Sequence, residues 1–348
     1  MTQPLGPLML DLEGTWLTSE ESDLLMRPEV GGVILFSRNI EDAGQVQALC
    51  EEVRRVRPDL LLAIDQEGGR VQRLREGVTR LPSMAVLASG YDEQPETVIQ
   101  RCQDAGWLLG LEMAACGLDI VFAPVLDVDS GISSVIGDRS FSHSPEVVTA
   151  LGGAFIDGLH EAGMVAIGKH FPGHGGVEAD SHHEVPVDPR PMETLRARDL
   201  VPFAALASRL QGVMPAHVIY SAFDHRPAGF SPYWLGMLRE DVGFKGAIFS
   251  DDLSMTAAGV AGGTAHRVTA ALDAGCDMAL VCNDREAVLS ALPICQERQG
   301  KRHARLRYGR ARPNLDSLSA LSRWRRTHAR LEALASTPTT GGTRQDGR

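Results

Sequence analysis

The sequence predicts an α/β fold, a single (β/α)8 TIM barrel, and three observations predict it. Apolar runs of strand length recur eight times along the chain. Longer segments with helical periodicity lie between them. Titratable residues gather at the C-terminal ends of the runs. Alternating strand and helix is the pattern of a parallel sheet, because each crossover between parallel strands needs a returning segment. An open doubly wound sheet would require a Gly-rich phosphate loop after an early strand, and neither GxGxxG nor GxxxxGKS is present. A length of 348 residues suits one barrel, which commonly takes about 250 residues or more.

The expected strands are PLMLDL (7–12), GGVILF (31–36), LLLAID (60–65), LDIVFAP (118–124), MVAIGK (164–169), GVMPAH (212–217), GAIFSD (246–251) and DMALVC (277–282). Between them AGQVQALCEEVRRV, VIQRCQDAGWLLGLEMAACG, SPEVVTALGGAFIDGLHEAG and METLRARDLVPFAALAS carry helical spacing. Several of these close on glycine, which a helix C-terminus favours. Residues 1–335 are expected to form the barrel. Residues 336–348, ending TPTTGGTRQDGR, have the composition of a disordered tail.

Composition excludes several classes. With 43% apolar residues the chain can bury a large core without staples. A net charge of −11 argues against a nucleic-acid binder, which needs a basic face. Only KRHARLRYGRARP and RWRRTHAR near the end are basic, and they read as a solvated helical face or, as an alternative, a contact for an anionic partner. The six cysteines show no CxxC and sit in apolar runs, as buried reduced thiols do. The N-terminus lacks a basic n-region and no run is long enough to span a bilayer, so a cytoplasmic protein is expected.

Asp65, Asp127, Lys169, His170, His217, Asp251 and Asp252 fall at or just past the ends of the expected strands, the face on which barrels build active sites. Each alone could be a helix N-cap. Seven such groups on one rim would repel or demand partners, which points to a site.

The stretch GKHFPGHGGVEADSHHEVP (168–186) holds four of the eleven histidines. His170 and His174 have the i, i+4 spacing of a zinc-protease helix, but Pro172 and Gly173 break the turn, so no metal is expected. His174 and His183 suit a structural network around Asp180 and Glu184. Asp180 and His182 are different in kind: a carboxylate two residues from an imidazole can fix its tautomer for proton transfer, although spacing alone is a weak signal. Gly173, Gly175 and Gly176 suggest a loop that moves.

DQEGGRVQRL (65–74), GDRSFS (137–142), KHFPGHGGVEADSHHEVP (169–186), MPAHVIY (214–220), AGFSPYWL (228–235) and FSDDLSM (249–255) together resemble the β-N-acetylglucosaminidase branch of the family 3 glycoside hydrolases, nearest its cytoplasmic bacterial members of cell-wall recycling. The resemblance runs from about Leu8 to Val281. It implies a (β/α)8 barrel that releases terminal β-linked N-acetylglucosamine with retention of configuration. Asp251 would be the nucleophile, and His182 with Asp180 the acid/base dyad. Asp65, Arg73, Arg139, Lys169 and His170 would bind the sugar's hydroxyls and acetamide, with Arg70 structural. The implied partner is a small-molecule muropeptide, N-acetylglucosaminyl-1,6-anhydro-N-acetylmuramic acid with or without its stem peptide. No cofactor, nucleic acid or membrane is implied, and a monomer is expected. Periodicity does not choose between Asp251 and Asp252, since successive strand residues face opposite ways. The rival readings are a phosphorylase on the same residues, a silent amino-sugar-binding barrel and a metal-dependent hydrolase.

Overall fold

The computed structural model describes residues 5–178, 185–296, 298, 302 and 305–336. Eight parallel strands form one curled sheet: β1 (Leu8–Leu10), β2 (Val30–Leu35), β3 (Leu61–Ile64), β4 (Ile120–Val121), β5 (Val165–Phe171), β6 (Gly212–Pro215), β7 (Ala247–Ile248) and β8 (Ala279–Val281). Each lies within or across one of the eight expected runs. Their order is β7-β6-β5-β4-β3-β2-β1-β8, so every strand but the last pairs with its neighbour in sequence. The register runs Leu280 to Met9, Met9 to Gly32, Ile34 to Ala63, Ala63 to Ile120 and Ile120 to Val165. The two outermost strands approach each other as well, through a parallel bridge between Phe249 and Met278. The strands are buried along their whole length, as a parallel sheet must be when helices cover it outside and side chains fill it inside.

The helices are cut where their sequences say. Ser144 caps helix Pro145–Ala162 by accepting the Val147 N–H, Pro145 occupies the first turn, and Gly163 ends it at φ 86°. This helix crosses Pro95–Ala115 at two glycines. A Cβ on Gly106 would lie 2.1 Å from the Phe155 carbonyl oxygen, and one on Gly158 would lie 2.0 Å from that of Gln103. The backbones touch there, which no larger residue allows.

The basic C-terminal segment is not the solvated face that its charge suggests. Helix Ser322–Ala335 lies along the outside of Pro95–Ala115: Arg323 pairs with Asp104 and Glu161, and its guanidinium sits 4.0 Å over the Trp107 ring. The Trp324 indole N–H donates to Glu112 at 2.9 Å, and the Glu112 carboxyl also accepts from the Thr79 hydroxyl at 2.6 Å. Upstream, Arg312 reaches the buried carboxylate of Asp119, which Arg54 also holds. These arginines are counterions to acids of the sheet's own connections and covering helices. All six cysteines are buried and unpaired. Among the described residues no helix is long and apolar enough to cross a membrane.

Gly158→Ala should lower stability by about 1–3 kcal/mol, because the added methyl must push two packed helices apart. Urea unfolding measures it, and an unchanged midpoint would mean that the crossing yields without cost.

Candidate active site

At the C-terminal end of the sheet a cavity of about 610 Å³ opens among the strand ends. Its first wall follows β3. Asp65 leaves the strand and the chain turns through a hairpin, Gln66–Gly68 paired antiparallel with Val71–Gln72, which carries Glu67, Arg70 and Arg73 to the same place. Lys169 of β5 joins the two acids, its Nζ 3.0 Å from Asp65 and 2.6 Å from Glu67. Arg139 holds both Glu67 oxygens at 2.8 Å in a bidentate pair. Burial works against a charge on Glu67, but Arg139 and Lys169 outweigh it and hold the carboxyl far below the usual carboxylate range. Burial likewise opposes the Lys169 charge, and Asp65 and Glu67 reverse it. Arg73 completes the wall, 3.6 Å from Asp65 and packed over the Phe36 ring.

Lys169 and His170 are consecutive in a strand, and alternation should send one of them away from the site. Both border the cavity, because the β5 to β6 register shifts between Lys169 and Phe171. The His170 Nδ1 donates to Asp127 at 2.7 Å, leaving Nε2 as its remaining polar atom. Asp127 also accepts the backbone N–H of His174 at 2.7 Å. Burial alone would raise the Asp127 pKa, but the His170 ring offsets it and the carboxyl stays below its ordinary value. His174, on the cavity wall beside His170, has both ring nitrogens buried without a hydrogen-bond partner among the described residues. Burial, and then His170, push its pKa down to about 4, so it is neutral at physiological pH.

The opposite wall carries Asp251 and Asp252. Strand geometry ends at Ile248, so the alternation expected to separate the two acids does not act on them, and both border the cavity. Their hydrogen bonds separate them instead. Asp252 is turned onto the Ser254 N–H at 2.9 Å and the Ser254 hydroxyl at 2.8 Å, while among the described residues the Asp251 carboxylate accepts only the Asp252 N–H, at 2.8 Å. Burial opposes the Asp251 charge, but His217, His170 and Lys169 more than compensate and hold its pKa down. Burial raises Asp252 to about 6 despite its bonds to Ser254. Two adjacent carboxyls whose pKa values are driven apart can take separate roles. His217 sits behind them, its Nε2 3.1 Å from the Asp252 carbonyl oxygen; a carbonyl only accepts, so that nitrogen carries the proton. Its ring stacks on Phe230.

Of the residues singled out from sequence, Asp65, Arg73, Arg139, Lys169, His170 and Asp251 border this one cavity. Asp180 and His182 lie outside the described residues, between Glu178 and Val185. Arg70, read as structural, does tie Asp138 and the Ser134 and Val135 carbonyls together, and it also borders the cavity. Glu67 was missed. It sits in the DQEGGRV segment, and the one available signal was an unexplained second acid two residues beyond Asp65. Gly173 and Gly176, expected to free the loop, mark close approaches: a Cβ on the first would lie 2.6 Å from the Asp199 Cβ, and one on the second 2.0 Å from an Arg190 nitrogen. Among the described residues no group of three or more His, Cys, Asp or Glu is arranged to hold a metal ion.

The model of the glycosyl hydrolase family 3 N-terminal domain matches residues 9–305. A β-hexosaminidase of Pseudomonas aeruginosa is 53% identical over 328 residues, covering 91% of this chain and 97% of that one. The β-hexosaminidase of Methylococcus capsulatus is 53% identical over 332 residues, with 93% and 98% covered. The crystal structure of NagZ from Neisseria gonorrhoeae in complex with N-trifluoroacetyl-D-glucosamine is similar at a TM-score of 0.88 and 40% identity, covering 96% of this chain and 99% of that chain.

A buried neutral histidine weakens the fold in acid. The folded pKa of His174, about 4, lies below the ordinary histidine value of 6.5, so its contribution to stability is full above pH 6.5 and is lost as pH falls through 4. The loss is on the order of 3 kcal/mol. His174→Phe keeps a flat ring without titration and should remove that part of the acid sensitivity. Urea midpoints at pH 7.5 and 4.5 measure it, and an identical pH slope in both proteins would mean that His174 is not buried neutral.

Proposed function

This chain belongs to the family 3 glycosyl hydrolases, and on that premise we propose that it is a retaining exo-β-N-acetylglucosaminidase, a β-hexosaminidase that removes terminal N-acetylglucosamine from cell-wall fragments. The observation that carries this reading is an ionised carboxylate, Asp251, bordering the same cavity as a fixed array of charged hydrogen-bonding groups suited to sugar hydroxyls.

Asp251 attacks the anomeric carbon and the glycosidic bond breaks, leaving a glycosyl ester. His182, held by Asp180, gives its proton to the departing oxygen, and in the second half-reaction takes one from the water that hydrolyses the ester. An imidazole in place of a second carboxyl suits a cavity already carrying Asp251, Asp252, Asp65 and Glu67, where another acid would meet strong like-charge repulsion. Asp65, Arg73, Arg139, Lys169 and His170 hold the sugar. Lys169 and Arg139 already have partners, so they arrive preorganised and their geometry need not be assembled on binding. Asp252, turned onto Ser254, shapes the backbone behind the nucleophile.

The substrate of this reading is N-acetylglucosaminyl-1,6-anhydro-N-acetylmuramic acid with or without its stem peptide, and the protein acts as a cytoplasmic monomer in cell-wall recycling. We further infer that residues 1–335 form one closed (β/α)8 barrel followed by a short tail. The parallel bridge from Phe249 to Met278 and the Ser250 N–H donating to the Met278 carbonyl at 2.8 Å support closure.

Purified protein should release p-nitrophenol from its β-N-acetylglucosaminide in EDTA without added phosphate, and Asp251→Ala should lose at least about 10³-fold in kcat. Activity that appears only with metal or only with phosphate would reject the hydrolase. His182→Ala should lower kcat/KM on the disaccharide, a poor leaving group, by about 10²-fold or more while sparing activated aryl glycosides. Equal losses on both would remove His182 from proton transfer.

A further inference from the structure

Away from the cavity lies a buried ionic cluster with no part in the chemistry described so far. Arg190 places its guanidinium between Asp188 and Asp199, two carboxylates with no side-chain exposure. Its Nε and Nη2 reach Asp188 at 3.0 and 2.7 Å, and its Nη1 and Nη2 reach Asp199 at 3.0 and 3.2 Å. Such a cluster is a poor device for stability alone, since apolar side chains of the same volume do as well or better. What it supplies is geometry, because the planar fork fixes two carboxylates from separate segments in one arrangement, as an ammonium cannot.

All three groups follow the loop in sequence, and both ends of that loop lie against them. Asp188 ends the pair Val187–Asp188, which lies beside Ile219–Tyr220, and the Ile219 N–H donates to the Pro186 carbonyl at 2.9 Å. That is the outgoing end. At the incoming end Gly173, at φ 143°, lies against the Asp199 Cβ and Gly176 against the Arg190 guanidinium, so that a side chain on either would have to displace the cluster. The buried Tyr220 hydroxyl, on the strand paired with Asp188, donates to the Gly173 carbonyl at 2.8 Å. Both ends of the segment that contains Asp180 and His182 in sequence therefore rest on one plate made of Arg190, Asp188, Asp199 and Tyr220.

We propose that Arg190 is a positioning residue for the acid/base step: through Asp188 and Asp199 it fixes where the loop bearing the dyad leaves and rejoins the fold, and so where His182 stands relative to the leaving oxygen. This rests on the assignment of His182 as proton donor. Arg190 touches no substrate, and its contribution is wholly through His182.

The test is a double-mutant cycle of Arg190→Lys, which keeps the charge and loses the fork, with His182→Ala. The readout is kcat/KM on the disaccharide and on an activated aryl β-N-acetylglucosaminide, whose phenolate leaves without protonation. Arg190→Lys should cost about 10²-fold on the disaccharide, the price of a misplacement near 1 Å, and no more than about twofold on the aryl glycoside. In the His182→Ala background it should cost nothing further on either. Asp199→Asn, read in the same way, serves if Arg190→Lys does not fold. Equal losses on both substrates, or a full additional loss in the His182→Ala background, would make Arg190 a merely structural residue and overturn the proposal. If His182→Ala itself shows no leaving-group dependence, the dyad assignment fails and this one with it; if His182→Ala shows it and Arg190→Lys does not, only Arg190 is misassigned.

Discussion

Glu67, at 2% exposure between Lys169 and Arg139, is the constraint on which the mouth of this sheet is built. A carboxylate so deeply buried is tolerable only while both cations stay in contact, and each cation is equally tied to it. Lys169 comes from the middle of the sheet, Arg139 from the loop after β4, and Glu67 from the hairpin after β3. Three segments distant in sequence are thus locked to one point. Asp65, drawn in by the same lysine, and Arg73 beside it inherit that rigidity. Rigid charged groups in a cavity bind a polar ligand without first paying an ordering entropy, which is what a sugar, itself well hydrated, requires of its site.

The wall across the cavity solves a different problem. Two consecutive aspartates, left to themselves, would raise one another's pKa and neither would be reliably ionised. Here Asp252 is turned onto Ser254 and carries the upward shift, while His217, His170 and Lys169 hold the charge on Asp251. Lys169 thereby takes part in both walls. The cation that stabilises Asp65 and Glu67 also lowers the pKa of Asp251 opposite, so the two walls of the cavity are coupled through one ammonium.

How much of this could be read from sequence depended on the range of the interactions. The eight strands were legible because each is an apolar run cut by local signals, and Asp65, Lys169, His170 and Asp251 because they stand at the ends of those runs. Glu67 was not, since what defines it is contact with residues 72 and 102 positions away. The bulge that turns both Lys169 and His170 to the cavity left no mark on the local pattern. The C-terminal arginines misled for the same reason: charge patterning on a helix says that a face is polar, not that Asp104 and Glu161 are waiting opposite it. The close approaches that Gly173 and Gly176 make to Asp199 and Arg190 were likewise illegible, because those partners lie more than ten residues away.

The helix Ser322–Ala335 bears on how the molecule is made. It covers the outer face of Pro95–Ala115 and, through Glu112, braces Thr79 at the end of the segment that carries Asp65, Glu67 and Arg73. A chain emerging from the ribosome delivers this strap after all eight strands. Until then the Trp107 face is bare and the carboxyl of Glu112 lacks one of its donors. The sheet and its covering helices therefore fold for a time without their strap, and the seam between Trp107 and Glu112 is the part of the molecule completed after the strands are in place.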